Sequence, residues 1–209
     1  MYRWIAIALL TVLAACSQRN EQPAAPSEGS EPGPAAQDSS KPNDAPLKHP
    51  DRLAGDQDED AWRKPAEVLN VLDARPGMKV IDYFAGGGYY TELLARIVGP
   101  EGQVIAYNNE SYAKYAADKP AKRYGNERLP NVAQLTAAPE DLPLEPASID
   151  AALFVQSYHD LHWVSKDGSW PATDPKAALE KLAAALKPGT VAPDDVEARA
   201  ARIGLLPGE

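Results

Sequence analysis

Two segments of the sequence carry residues whose types and spacing could do chemistry. The first follows Asp82 and places glycines at positions 86, 87 and 88. Glycine lets the backbone turn sharply and lets a ligand approach the main-chain N–H groups closely. The second is Tyr158-His159-Asp160, in which a histidine or a carboxylate could act as a general base or orient a nucleophile. A ligand bound at the turn would meet this triplet if the fold brings the two segments together.

The elements around the glycine turn are readable from the hydrophobic pattern. Residues 79–84 are mostly apolar and predict a buried parallel strand. A helix is predicted to begin near Tyr90, with Leu93, Leu94 and Ile97 on its buried face. The N-terminus of such a helix favours a negative or hydrogen-bond-accepting group of a ligand. A turn of this kind at the carboxyl edge of a parallel sheet is where nucleotide-like ligands bind.

The spacing of the glycines distinguishes between ligands. A dinucleotide fingerprint needs G-x-G-x-x-G, but Phe84 fills the first position and the third glycine is misplaced, which disfavours a dehydrogenase. The run fits acidic-x-G-x-G-x-G better, with Asp82 as the acidic residue and Gly86 and Gly88 as the last two glycines. This pattern resembles motif I of the class I S-adenosylmethionine (SAM) methyltransferases, from which Phe84 departs. A glycine-rich turn without a ligand is the alternative.

The resemblance extends beyond the glycines. The whole run RPGMKVIDYFAGGGYYTELLARIVGPEGQV is similar to the opening of a methyltransferase domain. It implies an α/β fold, a Rossmann-like three-layer sandwich around a parallel sheet, with SAM as the cofactor. Methyl transfer from SAM to an acceptor of unknown identity is the activity that this resemblance implies.

The end of the second predicted strand should meet the ribose of the cofactor. Residues 103–107 form that strand, and Asn108 and Glu110 follow it. In most members of the family an acidic residue at this point binds both ribose hydroxyls, and here Asn108 holds the position. An asparagine amide can accept one hydrogen bond and donate another, but it lacks the charge of a carboxylate.

The third predicted strand, residues 131–136, leads to the segment expected to meet the adenine. That segment resembles the family pattern D-A-E-x-L-P-F, in which an acidic residue binds the adenine amino group. Ala138 holds the acidic position, so Glu140 or Asp141 would have to substitute. The cofactor site implied by the resemblance comprises Asp82, Ala85, Gly86, Gly88, Asn108, Glu140 and Gln156.

The fourth predicted strand, residues 148–155, leads into the reactive triplet. The segment with Tyr158, His159 and Asp160 reads Y-H-D-L-x-W and resembles a subgroup of bacterial SAM-dependent methyltransferases. The resemblance places these three residues beside the transferred methyl group. Because the donor is already activated, methyl transfer is mainly a matter of positioning, and a general base is not obligatory.

The triplet has two other interpretations. The side chains could serve only structural hydrogen bonds beneath the sheet edge. His159 and His162 with Asp160 could also bind a metal, but an irregular loop without a third remote ligand does not favour a metal site, and none is predicted.

The N-terminus resembles that of a bacterial lipoprotein. Residues 1–15 have a basic start and an apolar run too short to span a bilayer, which is typical of an export signal. The run ends in Leu13-Ala14-Ala15-Cys16, similar to a lipobox, and Cys16 is the only cysteine. The resemblance implies lipidation of Cys16, membrane anchoring and a periplasmic location, and Ser17 is compatible with sorting to the outer membrane.

Composition divides the rest of the chain. Residues 16–48 are rich in Pro, Ala and Ser and predict a disordered tether, and residues 49–209 are expected to form one methyltransferase-like domain. Within it, residues 112–124 are predicted to form one solvated connecting helix. The net charge of −9 argues against a nucleic-acid partner, since phosphate contacts need clustered Lys and Arg.

The resemblance fails after the LKPGT segment that ends at Thr190. Residues 191–195 do not form an apolar fifth strand, so only four of the family's seven strands are readable. The sequence therefore suggests a truncated or internally deleted member of the family, with the fourth strand as an exposed edge. A rival interpretation is a non-catalytic envelope protein that kept the fold as a binding module.

Overall fold

The computed structural model describes residues 45–189, which contain a four-stranded parallel sheet. The strands are β1 (Lys79–Tyr83), β2 (Gln103–Asn108), β3 (Val132–Thr136) and β4 (Ala151–Leu153). Their order across the sheet is β3-β2-β1-β4, and every pair is parallel. The carboxyl ends of all four strands therefore lie at one edge of the sheet. The predicted α/β class and the first three strands are confirmed.

Six helices accompany the sheet in the described part of the chain. They are α1 (Asp56–Arg63), α2 (Pro65–Leu72), α3 (Tyr89–Val98), α4 (Glu110–Ala116), α5 (Lys119–Tyr124) and α6 (Pro175–Ala185). Two short 3-10 helices, Pro139–Asp141 and Tyr158–Leu161, follow β3 and β4. No helix among the described residues is long and apolar enough to cross a membrane.

The core has one apolar cluster on each face of the sheet. Successive residues of a strand point to opposite faces, so Val80 packs with α3 while Ile81 packs with α6. The α3 cluster includes Leu93 and Leu94, both fully buried. This arrangement gives the three-layer sandwich that the resemblance implied.

The connecting helix predicted over residues 112–124 is wrong. The structure has two helices there, because a proline at position 120 within one helix would lack an N–H and clash with the carbonyl of residue 116, where α4 ends. The link between them includes Ala117, whose φ is positive at 52°. The second helix is solvated on one side only, since Arg123 and Tyr124 are buried.

Two other boundaries differ from the sequence prediction. The acidic stretch at residues 56–60 precedes α2, which begins at Pro65, but it also forms most of α1, a helix that the sequence pattern does not predict. The fourth strand spans only Ala151–Leu153, and Ile149 before it makes a single parallel bridge to Leu186. Among the described strands β4 lies at the sheet edge, as predicted.

The predicted export signal, Cys16, Ser17 and most of the tether lie outside the described residues, as does the chain beyond Gly189. At the end of the tether, Leu47 packs against the α3 cluster, and its carbonyl accepts a hydrogen bond of 2.8 Å from Arg52 Nη1. The ordered body of the protein thus includes residues close to position 47.

Candidate functional site

The turn between β1 and α3 contains a residue in a conformation that glycine usually adopts. Phe84 has φ at 57°, and in the family motif this position is a glycine. A side chain in the left-handed region costs on the order of 1–2 kcal/mol. The ring of Phe84 is buried and stacks on Tyr112 with ring centroids 4.6 Å apart. Aromatic packing therefore offsets the strain at the position where the sequence departs from the motif.

Asn108 holds the glycine turn through both ends of its amide. Its Oδ1 accepts a hydrogen bond of 2.8 Å from the Gly86 N–H, and its Nδ2 donates one of 3.2 Å to the Gly86 carbonyl. Ala85 joins the same strand, because its N–H donates to the Tyr107 carbonyl at 2.9 Å. Asn108 thus fixes the turn to the end of β2, while Glu110 is exposed beside it.

Asp82 supports the turn from within the core. It is buried, and its Oδ2 accepts a hydrogen bond of 2.6 Å from the Thr91 hydroxyl in the first turn of α3. Burial raises the pKa of Asp82 to about 6, although the hydrogen bonds from Thr91 oppose that rise. The residue predicted to bind the cofactor therefore ties β1 to α3 and sets the geometry of the turn between them.

The raised pKa of Asp82 predicts an unusual dependence of stability on pH. Its pKa is higher in the folded protein than the ordinary 3.8, so the folded state binds more protons between pH 4 and 6. The contribution of Asp82 to stability is fully present below pH 4 and falls as pH rises to 6. Two pKa units correspond to roughly 3 kcal/mol. Relative to the unsubstituted protein, the free energy of unfolding of Asp82→Asn should therefore rise by up to that amount as the pH increases from 4 to 7. Urea unfolding measures it at each pH. A difference in free energy that does not change with pH would contradict this prediction.

Helix α5 packs against two of the glycines. A Cβ at Gly88 would lie 1.7 Å from the Tyr124 hydroxyl, and one at Gly87 would lie 2.9 Å from Lys119 Cδ. At Gly86, by contrast, a Cβ would meet no atom within 4 Å. Glycine at 88 is thus required by packing within the chain, and Gly86 is the glycine whose Cα faces open space.

A cavity of about 310 Å³ lies at the carboxyl ends of β2 and β3. It lies between α4, the 3-10 helix after β3 and a crossing segment at residues 168–173. Glu140 lines it, and the Oε2 of Glu140 is buried with no hydrogen-bond partner among residues 45–189. The other lining residues include Asn109, Glu110, Ser111, Thr136 and Ala138. A buried oxygen without a donor is costly, so this wall suits a ligand that brings an N–H group.

The structure does not bring every predicted cofactor residue to this cavity. The glycine turn is not among its lining residues, and Gln156 lines a different cavity of about 1120 Å³ along the edge of β4. Gln156 is exposed and has φ at 56°. The reason is the sheet order, since β4 lies two strands away from β2.

The reactive triplet forms a short 3-10 helix after β4. His159 Nε2 lies 3.2 Å from Asp160 Oδ1, and the Tyr112 hydroxyl donates a hydrogen bond to Asp160 Oδ2. Trp170 Nε1 donates to the Asp160 carbonyl at 3.1 Å. Tyr158 is half exposed and packs edge-on against Phe154. The carboxylate of Asp160 is therefore fixed between the exposed imidazole of His159 and the half-buried phenol of Tyr112.

Tyr112 is a site residue that the sequence interpretation missed. The sequence pattern predicts it on a solvated helix, but burial raises the pKa of its hydroxyl, and the neighbouring Asp160 carboxylate adds to the rise. Tyr112 therefore stays protonated and donates to Asp160. Its position was readable from the chain, since it follows Asn109, whose Oδ1 caps α4 by accepting from the Tyr112 N–H at 2.8 Å. Among the described residues no group of three or more His, Cys, Asp or Glu side chains could hold a metal ion.

These residues give the carboxyl edge of the sheet a defined chemistry. The edge joins a constrained turn after β1, a polar cavity beyond β2 and β3, and an imidazole–carboxylate pair after β4. Such an edge can bind a nucleoside-like ligand and accept a proton nearby.

Comparison with known proteins identifies the class. The family model described as a methyltransferase domain matches residues 81–192, which is more than half of the chain. The chain belongs to this family, as a class I methyltransferase with an α/β fold, and the family supports SAM as the cofactor.

Individual relatives are more distant. The chain is 31% identical over 129 residues to the ubiquinone/menaquinone biosynthesis C-methyltransferase UbiE of Shewanella frigidimarina; this covers 61% of the chain and 45% of the relative. It is 33% identical over 122 residues to an uncharacterized 37.1 kDa protein in transposon TN4556 of Streptomyces fradiae, covering 58% and 31%. The chain thus spans less than half of these relatives.

One solved structure supports the fold. A SAM-dependent methyltransferase from Aquifex aeolicus aligns with a TM-score of 0.50 and 22% identity, covering 70% of this chain and 81% of that one. At this level of identity the similarity concerns the fold alone.

Proposed function

We propose that this protein transfers a methyl group from SAM, with the nucleoside bound in the 310 Å³ cavity and the methyl group directed toward His159 and Asp160. The observation that carries the proposal is that Glu140 lines that cavity and that its Oε2 has no hydrogen-bond partner among the described residues. The exocyclic amino group of adenine would supply the missing donor. The hydrogen-bond acceptors that line the cavity, Glu110 and Glu140, thus suit the amino and hydroxyl groups of a nucleoside.

Other residues of this chain would hold the remainder of the cofactor. Glu110 is exposed and lines the cavity, and its carboxylate would accept hydrogen bonds from the ribose hydroxyls. The turn at Gly86, held by Asn108, and the N-terminus of α3 favour the carboxylate of the amino-acid end. When bound, SAM supplies a methyl group on an already activated sulfonium.

The residues after β4 would then position the methyl acceptor and take its proton. His159 has an exposed imidazole, and Asp160 lies on its Nε2 side at 3.2 Å. Tyr112 and Trp170 fix Asp160, so the pair keeps its orientation. His159 accepts the proton that the acceptor loses, and Tyr158 lines the acceptor side.

A planar aromatic compound is the acceptor class that we propose. Tyr158 and Trp163 are each 51% exposed, although large aromatic side chains of this kind are usually more buried. Exposed rings beside a base suit a flat ring as the acceptor. The name of the Shewanella relative, a C-methyltransferase of quinone biosynthesis, supports the same class.

Substitution of Glu140 tests the nucleoside site. Glu140→Ala removes the acceptor, and a hydrogen bond to a charged group is worth about 1.5–3 kcal/mol, so the Kd for S-adenosylhomocysteine should rise about tenfold or more. Asp141→Asn is the matched control, because Asp141 is exposed in the same 3-10 helix and should leave the Kd unchanged. Equal affinities of both variants and the original protein, measured by calorimetry, would exclude Glu140 from the site.

One observation favours a second candidate, a methyltransferase fold retained as a binding module. Phe84 and Tyr112 stack at the turn, and Tyr124 fills the space beside Gly88. An exported protein would also lack the cytoplasmic supply of SAM. Binding of S-adenosylhomocysteine without transfer to phenols, quinols, amines or thiols would favour this candidate.

The proposed location follows from the N-terminus. Lipidation of Cys16 would anchor the protein in the cell envelope, on the periplasmic side of the outer membrane, after removal of residues 1–15. Incorporation of a labelled fatty acid that is lost in Cys16→Ala supports the anchor, and labelling that persists in that variant contradicts it.

A further inference from the structure

A buried cluster of charges lies beneath the glycine turn. Arg123 of α5 is 4% exposed, and its Nε donates a hydrogen bond of 2.8 Å to the Gly87 carbonyl. Its Nη1 donates to Asp56 Oδ2 and to Glu92 Oε2, both at 2.6 Å, and its Nη2 donates to Asp56 Oδ1 at 3.0 Å. One guanidinium therefore links α1, α3, α5 and the turn.

Further arginines complete the cluster around Glu92, which is fully buried. Arg96 and Arg128 donate to Glu92 Oε1 at 2.9 and 2.5 Å. Burial works to raise the pKa of Glu92, but its hydrogen bonds and ion pairs with the arginines outweigh burial and lower it. Burial likewise opposes the charge of Arg123, while Asp56 and Glu92 raise its pKa. Glu92 and Arg123 therefore stay ionised.

We propose that Arg123 is a positioning residue of the cofactor site, and that α1 belongs to that site through Asp56. The bond to the Gly87 carbonyl sets the plane of the peptide between Gly87 and Gly88. The N–H of that peptide donates to the Ala85 carbonyl at 2.9 Å, so the same contact holds the turn closed. This inference rests on the proposed function for its effect on cofactor affinity, but its effect on the turn does not.

The role of α1 follows from the geometry of Arg123. The Asp56 carboxylate accepts two hydrogen bonds from Arg123 and so fixes the guanidinium in one orientation, as bidentate pairs do. Asp56 precedes the region matched by the family model, which begins at residue 81. A helix outside the matched region thus sets the conformation of the turn inside it.

Arg128 provides a matched control. It carries the same charge and also binds Glu92, but its second hydrogen bond, of 3.1 Å, goes to the Arg123 carbonyl and not to the turn. Loss of Arg128 removes a charge from the cluster and leaves the bond to Gly87 in place.

The test compares Arg123→Met, Asp56→Asn and Arg128→Met in the full-length protein. In the first two variants, amide hydrogen exchange of residues 84–91 without ligand should rise about tenfold, and the affinity for S-adenosylhomocysteine should fall about tenfold. In Arg128→Met, the exchange rate of residues 84–91 and the affinity for S-adenosylhomocysteine should each stay within about twofold of the unsubstituted protein. The melting temperature of Arg128→Met should nevertheless fall about as much as that of Arg123→Met. If Arg123→Met does not fold, Arg123→Lys replaces it. Lysine keeps the positive charge but cannot make all the hydrogen bonds of the guanidinium to Asp56, Glu92 and Gly87, so the same changes in exchange and affinity are expected.

The outcomes separate this inference from the proposed function. Unchanged exchange of residues 84–91 in Arg123→Met, or an equal rise in Arg128→Met, overturns the positioning role. A rise in Arg123→Met without one in Asp56→Asn overturns the part assigned to α1. If the unsubstituted protein binds no S-adenosylhomocysteine, the proposed function fails while the exchange measurement still decides the role of Arg123.

Discussion

Gly88→Ala should lower the free energy of unfolding by about 3 kcal/mol or more. The backbone at Gly88 has φ at 83°, which costs on the order of 1–2 kcal/mol for alanine. The new Cβ would lie 1.7 Å from the Tyr124 hydroxyl and 2.6 Å from its Cζ. Because both atoms belong to a buried side chain of α5, relief requires the Tyr124 ring or the helix to shift. Urea unfolding measures the loss.

Gly86→Ala is the matched control for that prediction. Gly86 also has positive φ, at 55°, but a Cβ there would meet no atom within 4 Å. Gly86→Ala should therefore lower the free energy of unfolding only by the cost of placing alanine at positive φ, about 1–2 kcal/mol. Tyr124→Leu should rescue part of the effect of Gly88→Ala and none of that of Gly86→Ala. Equal losses in the two glycine variants would contradict the packing of α5 against the turn.

His159→Gln should lower the rate of methyl transfer about 100-fold or more, because general base catalysis contributes about 10²–10⁴-fold. The side chain of His159 is 74% exposed, so its replacement should leave the melting temperature unchanged. The rate is measured with labelled SAM and the best acceptor found among phenols, quinols, amines and thiols. The affinity for S-adenosylhomocysteine should also stay the same, since His159 is not a residue of the nucleoside cavity.

His162→Gln provides the comparison. His162 lies in the same segment and packs edge-on against Tyr158, but Asp160 is paired with His159. Its replacement should change the rate by less than about threefold, as surface substitutions away from the chemistry do. Full activity of His159→Gln would show that transfer proceeds without a base at this position and depends on positioning alone.

The fold was predictable where its determinants are local. The apolar run of β1, the glycines and the stripe of α3 are contiguous in sequence, so the β1–turn–α3 unit was placed correctly. The sheet followed from three further apolar runs. The error over residues 112–124 had a local cause as well, since Pro120 signals a break that the helical pattern obscured.

The site was predictable only in part, because much of it depends on contacts between distant residues. Arg123 meets Asp56 across 67 positions, and Tyr112 meets Asp160 across 48, and neither contact leaves a periodic signal. Phe84 was visible as a departure from the motif, but its stacking on Tyr112 required the structure. Glu140 was one of two alternatives for the adenine, and its unpartnered oxygen favours it over Asp141.

Calorimetric titration of the purified full-length protein with S-adenosylhomocysteine tests the central claim most directly. The account predicts saturable binding at one site and a melting temperature that rises with ligand, because a ligand that binds only the folded state stabilises it by about 2.7 kcal/mol at 100 times the Kd. No heat of binding and no change of melting temperature at millimolar ligand would contradict the claim that the carboxyl edge of this sheet holds the cofactor.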